Sequence, residues 1–389
     1  MAPRLAVPLV LLALLAPTRG AAQVPEQLGP YWFGDARARV RPALFVQLQL
    51  AGEGADLGAL AWEPRLRRLR PVLQSSLFEG RVTTSLHLEL RPDAPELVDL
   101  WADVRADDAL HLRVGQLKTP FTRFYQQPFI ELAVDWPLTS RWFGGEHQLG
   151  AMVHGEHAAS GLGYAAGVFG GQARRNGLAR ELARAYGEQL GNPSRLDAPA
   201  PSEPAHPELV ARLDHAGREG ALRHAMSFSA SWDLAPARGR DFALRLAPEL
   251  DLELGALRWT LVGYAGWIED ARGGLALGAL GALSVLAWRA DRHLALVLRY
   301  ARVHVTRALR DDARAHADAV HATMDDEAWQ ARYARAGREH AHHELGVAVE
   351  VLVIGRSLTW QTDLSWLHDE APGEAREGWR VRSQLQLAF

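Results

Sequence analysis

The chain has no cysteine, and Lys118 is the only lysine among its 43 basic residues. Without thiols the fold owes nothing to disulfides or thiolate-bound metal, and arginine in place of lysine is the usage of a GC-rich genome. Beyond the N-terminus no run of about 18 apolar residues is free of charge, so no membrane-spanning helix is expected in the mature chain. No nucleophile elbow, phosphate-binding glycine loop or His-Glu-x-x-His helix occurs. A formal net charge of −3 argues against a general nucleic-acid binder. With 48% hydrophobic residues and a mean hydropathy of −0.14, the composition is too polar for a bundle of membrane helices. It suits strands of which half the residues face water.

What is present begins with an export signal over 1–22: Arg4, an apolar core from Leu5 to Ala16, and small residues Gly20-Ala21-Ala22 before Gln23. Removing Arg4 and Arg19 takes the net charge from −3 to −5. No lipidation cysteine follows. Residues 23–39, punctuated by proline and glycine and carrying Tyr31, Trp32 and Phe33, are expected to form a periplasmic lead-in, and 40–389 the barrel.

The last eleven residues carry the main clue. Trp379, Val381, Leu385, Leu387 and Phe389 share one face, broken only by Ser383, while Arg380, Arg382, Gln384, Gln386 and Ala388 share the other. This is the alternation of a tilted strand of roughly 9–11 residues that crosses a bilayer. A lone strand cannot satisfy its backbone groups in lipid, so such a strand implies a closed barrel. The same alternation recurs, most clearly at 81–91, 242–254 and 358–368. Sixteen strands are expected, at 40–50, 65–77, 80–91, 96–106, 109–118, 146–156, 161–170, 206–215, 221–232, 241–254, 256–270, 273–290, 292–306, 339–353, 356–369 and 377–389. The fold class is therefore all-β, a transmembrane antiparallel barrel of about sixteen strands with long, partly helical loops. Three connections are long: 119–146, aromatic and proline-containing; 171–205, with a helical piece at Leu178–Leu190; and 306–338, helical through Leu309–Arg335.

Several segments carry a family resemblance. Leu66-Arg67-Arg68-Leu69-Arg70, Gly80-Arg81-Val82, Leu100–Arg105 and above all Leu112-Arg113-Val114-Gly115-Gln116-Leu117-Lys118-Thr119-Pro120-Phe121 resemble the opening strands of the phosphate-selective (O/P) porins, bacterial outer-membrane barrels. Glu131, Gly145–Gly150 and Gly161–Gly171 look like later segments of that family, and a C-terminal strand ending in Phe resembles the barrel-assembly signal. The C-terminal half otherwise matches in pattern only. The resemblance implies sixteen strands, a homotrimer in the outer membrane of a Gram-negative bacterium, and passive diffusion of anions such as phosphate through a basic constriction. With one lysine in all, and Gly144-Gly145-Glu146-His147 where many relatives carry a Gly-Arg-Asp-like sequence, the chain departs from the phosphate-selective members toward a general porin.

A channel's chemistry is set by charge at its narrowest point. The pleat puts Arg68, Arg70, Arg81, Arg105 and Arg113 on the water side, with Lys118 and Arg123 at and beyond a strand end. They could form one basic wall opposite acidic residues, or pair with Glu89, Asp99, Asp103, Glu249, Asp251 and Glu253 as an interior lattice. The 119–146 loop is the candidate constriction, with Arg123 and Arg141 facing the permeant if it folds inward and its aromatics packing on the wall. Trp360, Trp366 and Trp379 belong to interfacial girdles.

Two clusters invite other chemistry. In Glu339-His340-Ala341-His342-His343-Glu344, residues His340, His342 and Glu344 share a strand face, but side chains two apart converge poorly on one ion without a neighbouring strand. No metal or cofactor is assigned there. Ser85 and His87 point the same way, yet strand geometry separates such residues by about 7 Å, too far for a triad bond, and no enzymatic activity is expected. The expected partners are outer-membrane lipid and small anionic or general solutes; a barrel acting as a sheath or adhesin through its loops is the alternative, and an outer-membrane hydrolase a more distant one.

Overall fold

The computed structural model describes residues 32–90, 95–107, 109–126, 134, 136–144, 147–157, 159–171, 206–236, 242–269, 273–312, 338–354 and 357–389. After a two-residue strand β1 (Phe33–Gly34), sixteen long strands follow. They are β2 (Ala38–Gly54), β3 (Ala61–Leu77), β4 (Val82–Leu90), β5 (Pro95–Asp107), β6 (Leu110–Lys118), β7 (His147–His157), β8 (Leu162–Gly171) and β9 (His206–Glu219). The second half comprises β10 (Leu222–Asp233), β11 (Leu244–Leu254), β12 (Leu257–Glu269), β13 (Leu275–Arg289), β14 (Leu294–Val305), β15 (Ala341–Ile354), β16 (Leu358–Ala371) and β17 (Glu374–Ala388). Each of the sixteen pairs antiparallel with its neighbours in sequence, and β17 returns to β2, so the ring closes. All sixteen expected strands are found, displaced by a few residues at their ends. Of the lead-in, residues 32–39 are described, and β1 pairs with Arg39 and Val40. The export signal and Leu178–Leu190 lie outside the described residues, as does most of Leu309–Arg335, whose first residues 309–312 belong to a helical stretch that begins at 307.

Burial is inverted relative to a protein folded in water. On β17 the polar row is inside: Arg382, Gln384 and Gln386 are 2%, 1% and 1% exposed, whereas outward Leu385 is 37% exposed. The same holds around the ring, where Leu149, Leu213, Leu298 and Val347 are all exposed. An apolar exterior on a sheet with no free edge is what a bilayer demands, since lipid offers backbone groups no partner. Ser383, the break in the apolar face of β17, is absorbed by neighbours: it accepts from Trp360 Nε1 at 3.0 Å and Thr362 Oγ1 at 2.9 Å. The terminal Phe389 is stitched to β2 through Leu44 N–H to its carbonyl at 2.6 Å and its own N–H to the Leu44 carbonyl at 3.2 Å.

One end of the barrel has tight links such as 220–221, 255–256 and 290–293; the other carries the three long connections. Outward tryptophans mark both levels. Trp62, Trp232, Trp366 and Trp379 lie toward the long-loop end, with Trp366 directly opposite Trp379, while Trp259, Trp288 and Trp360 lie toward the short-turn end. These are the positions of two aromatic girdles.

Candidate functional site in the barrel lumen

The connection after β6 does not rise away from the barrel but folds into it. Its described parts contain two short helices, α1 (Arg123–Gln126) and α2 (Leu138–Phe143). Thr122 N–H donates to Ser229 Oγ on β10 at 3.1 Å, and Phe124 N–H to Glu249 Oε2 on β11 at 3.0 Å. Further on, the Val134 carbonyl accepts from Arg67 Nη1 on β3 at 2.6 Å, and Leu138 N–H donates to Glu344 Oε2 on β15 at 2.9 Å. β3 and β11 are eight strands apart in a ring of sixteen, so the loop is tied to opposite walls. It is a crossbar.

Aromatic packing fixes one end of it. Phe143 is fully buried, stacked between Phe242 (centroids 5.3 Å apart) and Tyr264 (5.1 Å). Phe121, Phe124 and Trp142 are buried with it in a cluster that includes Val262, Ile268, Leu283 and Val303 from the inner faces of β12, β13 and β14. That stretch of lumen wall is apolar and serves as the loop's seat. Gly281 leaves the recess: a Cβ there would lie 2.7 Å from Phe143 Cε2. Arg245 clamps the rim, donating from Nη1 to the Phe143 carbonyl at 2.6 Å and from Nη2 to Glu208 Oε1 at 2.7 Å. The expected wall packing of the loop aromatics is thus realised.

Across from this seat a cavity of about 470 Å³ remains, lined by β2–β7 and the crossbar. Four of the predicted cations, Arg68, Arg70, Arg113 and Lys118, line it together with Glu89, Glu96, Asp99, His87 and His147. Formally that is four positive charges against three negative. Arg70 binds Glu89, with Nε to Oε2 at 3.0 Å, and Arg113 Nε binds Asp103 Oδ2 at 2.8 Å. Lys118 Nζ lies 4.2 Å from the centroid of the Tyr125 ring and 4.7 Å from that of Trp136, both on the loop. Gly115, at φ +133, lets β6 run so close to β5 that an added Cβ would come 2.2 Å from the Leu100 carbonyl oxygen. A second cavity of about 660 Å³ opens near the short turns, bounded by Arg223, Arg258, Arg289, Glu253 and Glu350, with Phe124 above it.

The other predicted cations are placed differently. Arg81 and Arg105 are exposed at the short-turn rim, where Arg105 N–H donates to the Arg81 carbonyl at 2.8 Å. Arg123 sits beside Glu249 and exposed Arg141 within the field of Glu344; neither lines the 470 Å³ cavity. The single basic wall facing an acidic one is not found. Glu89, Asp99 and Asp103 lie among the arginines of β3 and β6, while across the lumen Asp251 pairs with Arg258 at 2.7 Å and Glu253 with Arg223 at 3.4 Å. The reason is local: inward residues on adjacent strands meet, so each acid finds its cation one strand away.

Comparison with known proteins rests on structural similarity. No family model matches the chain, and no curated protein matches it. The anion-selective porin of Comamonas acidovorans superposes with a TM-score of 0.59 at 10% identity, over 91% of this chain and 100% of that one. OprB of Pseudomonas putida gives 0.58 at 12% identity over 90% and 94%, and the outer-membrane channel DcaP of Acinetobacter baumannii 0.56 at 11% over 92% and 99%. The fold is that of outer-membrane porins. A closed barrel of this fold with an apolar exterior places the chain in a Gram-negative outer membrane.

Sequence reasoning put Arg380 and Arg382 on the polar face of the last strand but gave them no role, and did not single out Arg299. Arg299, Arg380 and Arg382 form a buried lattice with two carboxylates: Arg299 and Arg380 reach Glu344 Oε1 at 2.6 and 2.9 Å, and Arg382 reaches Asp363 Oδ2 at 2.8 Å. Glu344 is therefore committed to arginines rather than to the histidines that share its strand face; His342 Nδ1 meets Asp369 Oδ1 across the ladder at 2.8 Å. The separation expected for Ser85 and His87 is also overturned. Ser85 Oγ and His87 Nε2 are 2.9 Å apart, because the imidazole leans along the strand, and His87 Nδ1 reaches Asp99 Oδ2 at 3.0 Å. Ser85 is 1% exposed and does not line the cavity, so a substrate carbonyl has no approach to its hydroxyl.

Proposed function

We propose that the chain is a general porin of the phosphate-selective type, admitting small hydrophilic solutes by passive diffusion and favouring anions. One observation supports this above others: the inward loop narrows the lumen to a gap whose free wall carries Arg68, Arg70, Arg113 and Lys118. Fixed charge at a constriction with low-dielectric walls raises the local concentration of counter-ions and sets the sign of the permeant. The acids in the same wall hold arginines by ion pairs and, with Asp103 counted against Arg113, nearly balance the cations, which suits a weak, broad anion preference rather than a tight phosphate site. The lysine stacked on two loop aromatics ties the charge to the loop. Homotrimeric assembly belongs to the same reading and rests on the resemblance to the phosphate-selective porins.

The test is single-channel conductance of purified, folded protein in a planar bilayer, with reversal potential in a salt gradient. Discrete steps with anion preference are expected, and that preference falls in Arg68→Ala and Lys118→Ala. Absence of steps from folded protein refutes the reading and favours a sheath or adhesin.

A further inference from the structure

Two carboxylates in the lumen are each bridged by a pair of histidines, and they differ in one respect. Asp99 meets His87 and His147, whose ring nitrogens approach from separate sides at 3.0 and 2.7 Å. Asp103 meets His111 Nδ1 at 2.9 Å and His154 Nε2 at 2.6 Å, and there all three donor atoms lie within 4.8 Å of one another. Only the second set converges. It is built from three neighbouring strands: His111 on β6 is directly opposite His154 on β7, and Asp103 on β5 faces the same point from the other side. The two imidazoles lie 4.9 Å apart with their planes inclined at 29°, and the carboxylate they both contact is 4% exposed.

The geometry points to a divalent transition-metal site on the lumen wall, held by Asp103, His111 and His154. Two imidazoles and one carboxylate suit zinc, nickel, copper or cobalt, whereas calcium and magnesium require all-oxygen shells. Three protein ligands leave one position open, and the two imidazoles are half-buried rather than enclosed. Proton balance is simple. A neutral imidazole that gives its N–H to Asp103 becomes a ligand by moving that proton to its other ring nitrogen; one that starts as imidazolium releases a proton to water. The carboxylate exchanges two N–H contacts for one bond to the metal. Arg113, whose Nε is 2.8 Å from Asp103 Oδ2, competes with the metal for this oxygen. Because Arg113 also lines the cavity over Trp101, a bound dication adds positive charge beside the constriction and increases anion preference.

Zinc alone is the probe, titrated calorimetrically into the full chain folded in detergent, an assay that needs no conduction. One Zn²⁺ per chain is expected at this site. His111→Gln and His154→Gln each weaken it by at least about tenfold, while Arg113→Gln tightens it by removing the competing cation. Zinc affinity unchanged in the double variant H111Q/H154Q overturns the site. So does loss of binding in His342→Gln, which would move the ion to the Glu339–His342–Asp369 group at the opposite mouth. The effect on selectivity rests on the channel reading and has its own readout: zinc shifts the reversal potential toward anions, EDTA reverses the shift, and His154→Gln abolishes it. Bound zinc with an unmoved reversal potential in conducting channels refutes that effect and leaves the site standing.

Discussion

Phe143→Ala tests whether the crossbar is held by its aromatic seat. The ring is fully buried and flanked by Phe242 and Tyr264 at near-parallel angles of 7° and 15°. Truncating a buried Phe costs about 3–5 kcal/mol, and each stacked partner accounts for about 0.5–1.5 kcal/mol of such a loss, which places this site toward the upper end. The Arg245 bonds to the Phe143 and Gly144 carbonyls and the Leu138 N–H bond to Glu344 involve main chain or other residues and survive the change. The substitution therefore acts on docking of the loop, not on the strand ladder. A shift of that size raises the undocked population by roughly two to three and a half orders of magnitude. In planar bilayers the variant should show larger unit conductance, more open-channel noise and weaker anion preference, with the barrel still migrating as folded protein on unheated gels. Gly281→Val, which pushes a side chain into the same recess from the wall, should reproduce the phenotype. Wild-type conductance and noise in both folded variants would refute the idea that this seat holds the loop.

Charge reversal at the gap, Lys118→Glu, should move the reversal potential toward cations, whereas Arg81→Ala and Arg105→Ala at the exposed rim should move it far less; equal shifts would show that the 470 Å³ cavity is not the narrow point. Glu344→Gln leaves Arg299 and Arg380 buried without their shared carboxylate, a loss of about 3–5 kcal/mol by the behaviour of broken buried pairs; urea unfolding of the barrel in lipid vesicles measures it, and an unchanged midpoint contradicts the lattice. A fluorophosphonate probe should fail to label Ser85 in the folded protein despite its contact with His87, because the hydroxyl is enclosed; labelling abolished by Ser85→Ala would revive the hydrolase.

The wall was legible in the sequence because its determinants are local. Lipid demands an apolar outer row, and a period of two then fixes which residues face inward, so alternation alone puts Arg68, Arg70 and Arg113 on the water side, whereas Lys118 has the outward parity and enters the lumen only because it ends its strand. The limits arise where the period slips. Between Gln47 and Leu48 the register with β3 shifts, Gln47 opposing Arg68 and Leu48 opposing Leu66. Arg67 is thereby left on the bulge, and it reaches Val134 and Gln384 on the lumen side, although strict alternation assigns it to lipid. A bulge of this kind leaves no trace in a two-residue pattern.

The crossbar itself depends on contacts 67 to 206 residues apart, yet half of its cause is written in the sequence. Leu275–Arg289 is apolar on both faces, LALGALGALSVLAW, where a strand lining only water should alternate. An inner face made of Ala279, Gly281, Leu283 and Val285 needs an apolar partner within the lumen. The aromatic loop 119–146 is the segment whose composition supplies one. The same reasoning separates the two sides of the lumen: around the loop's seat β12–β14 gave their inner face to packing, so the open gap beside the loop lies against the polar wall of β2–β7, where the cations of the 470 Å³ cavity and the convergent Asp103–His111–His154 set both lie. A barrel with its loop removed should therefore expose an apolar stripe to water inside the lumen, and the chain's stability, not only its conductance, should depend on the loop that closes it.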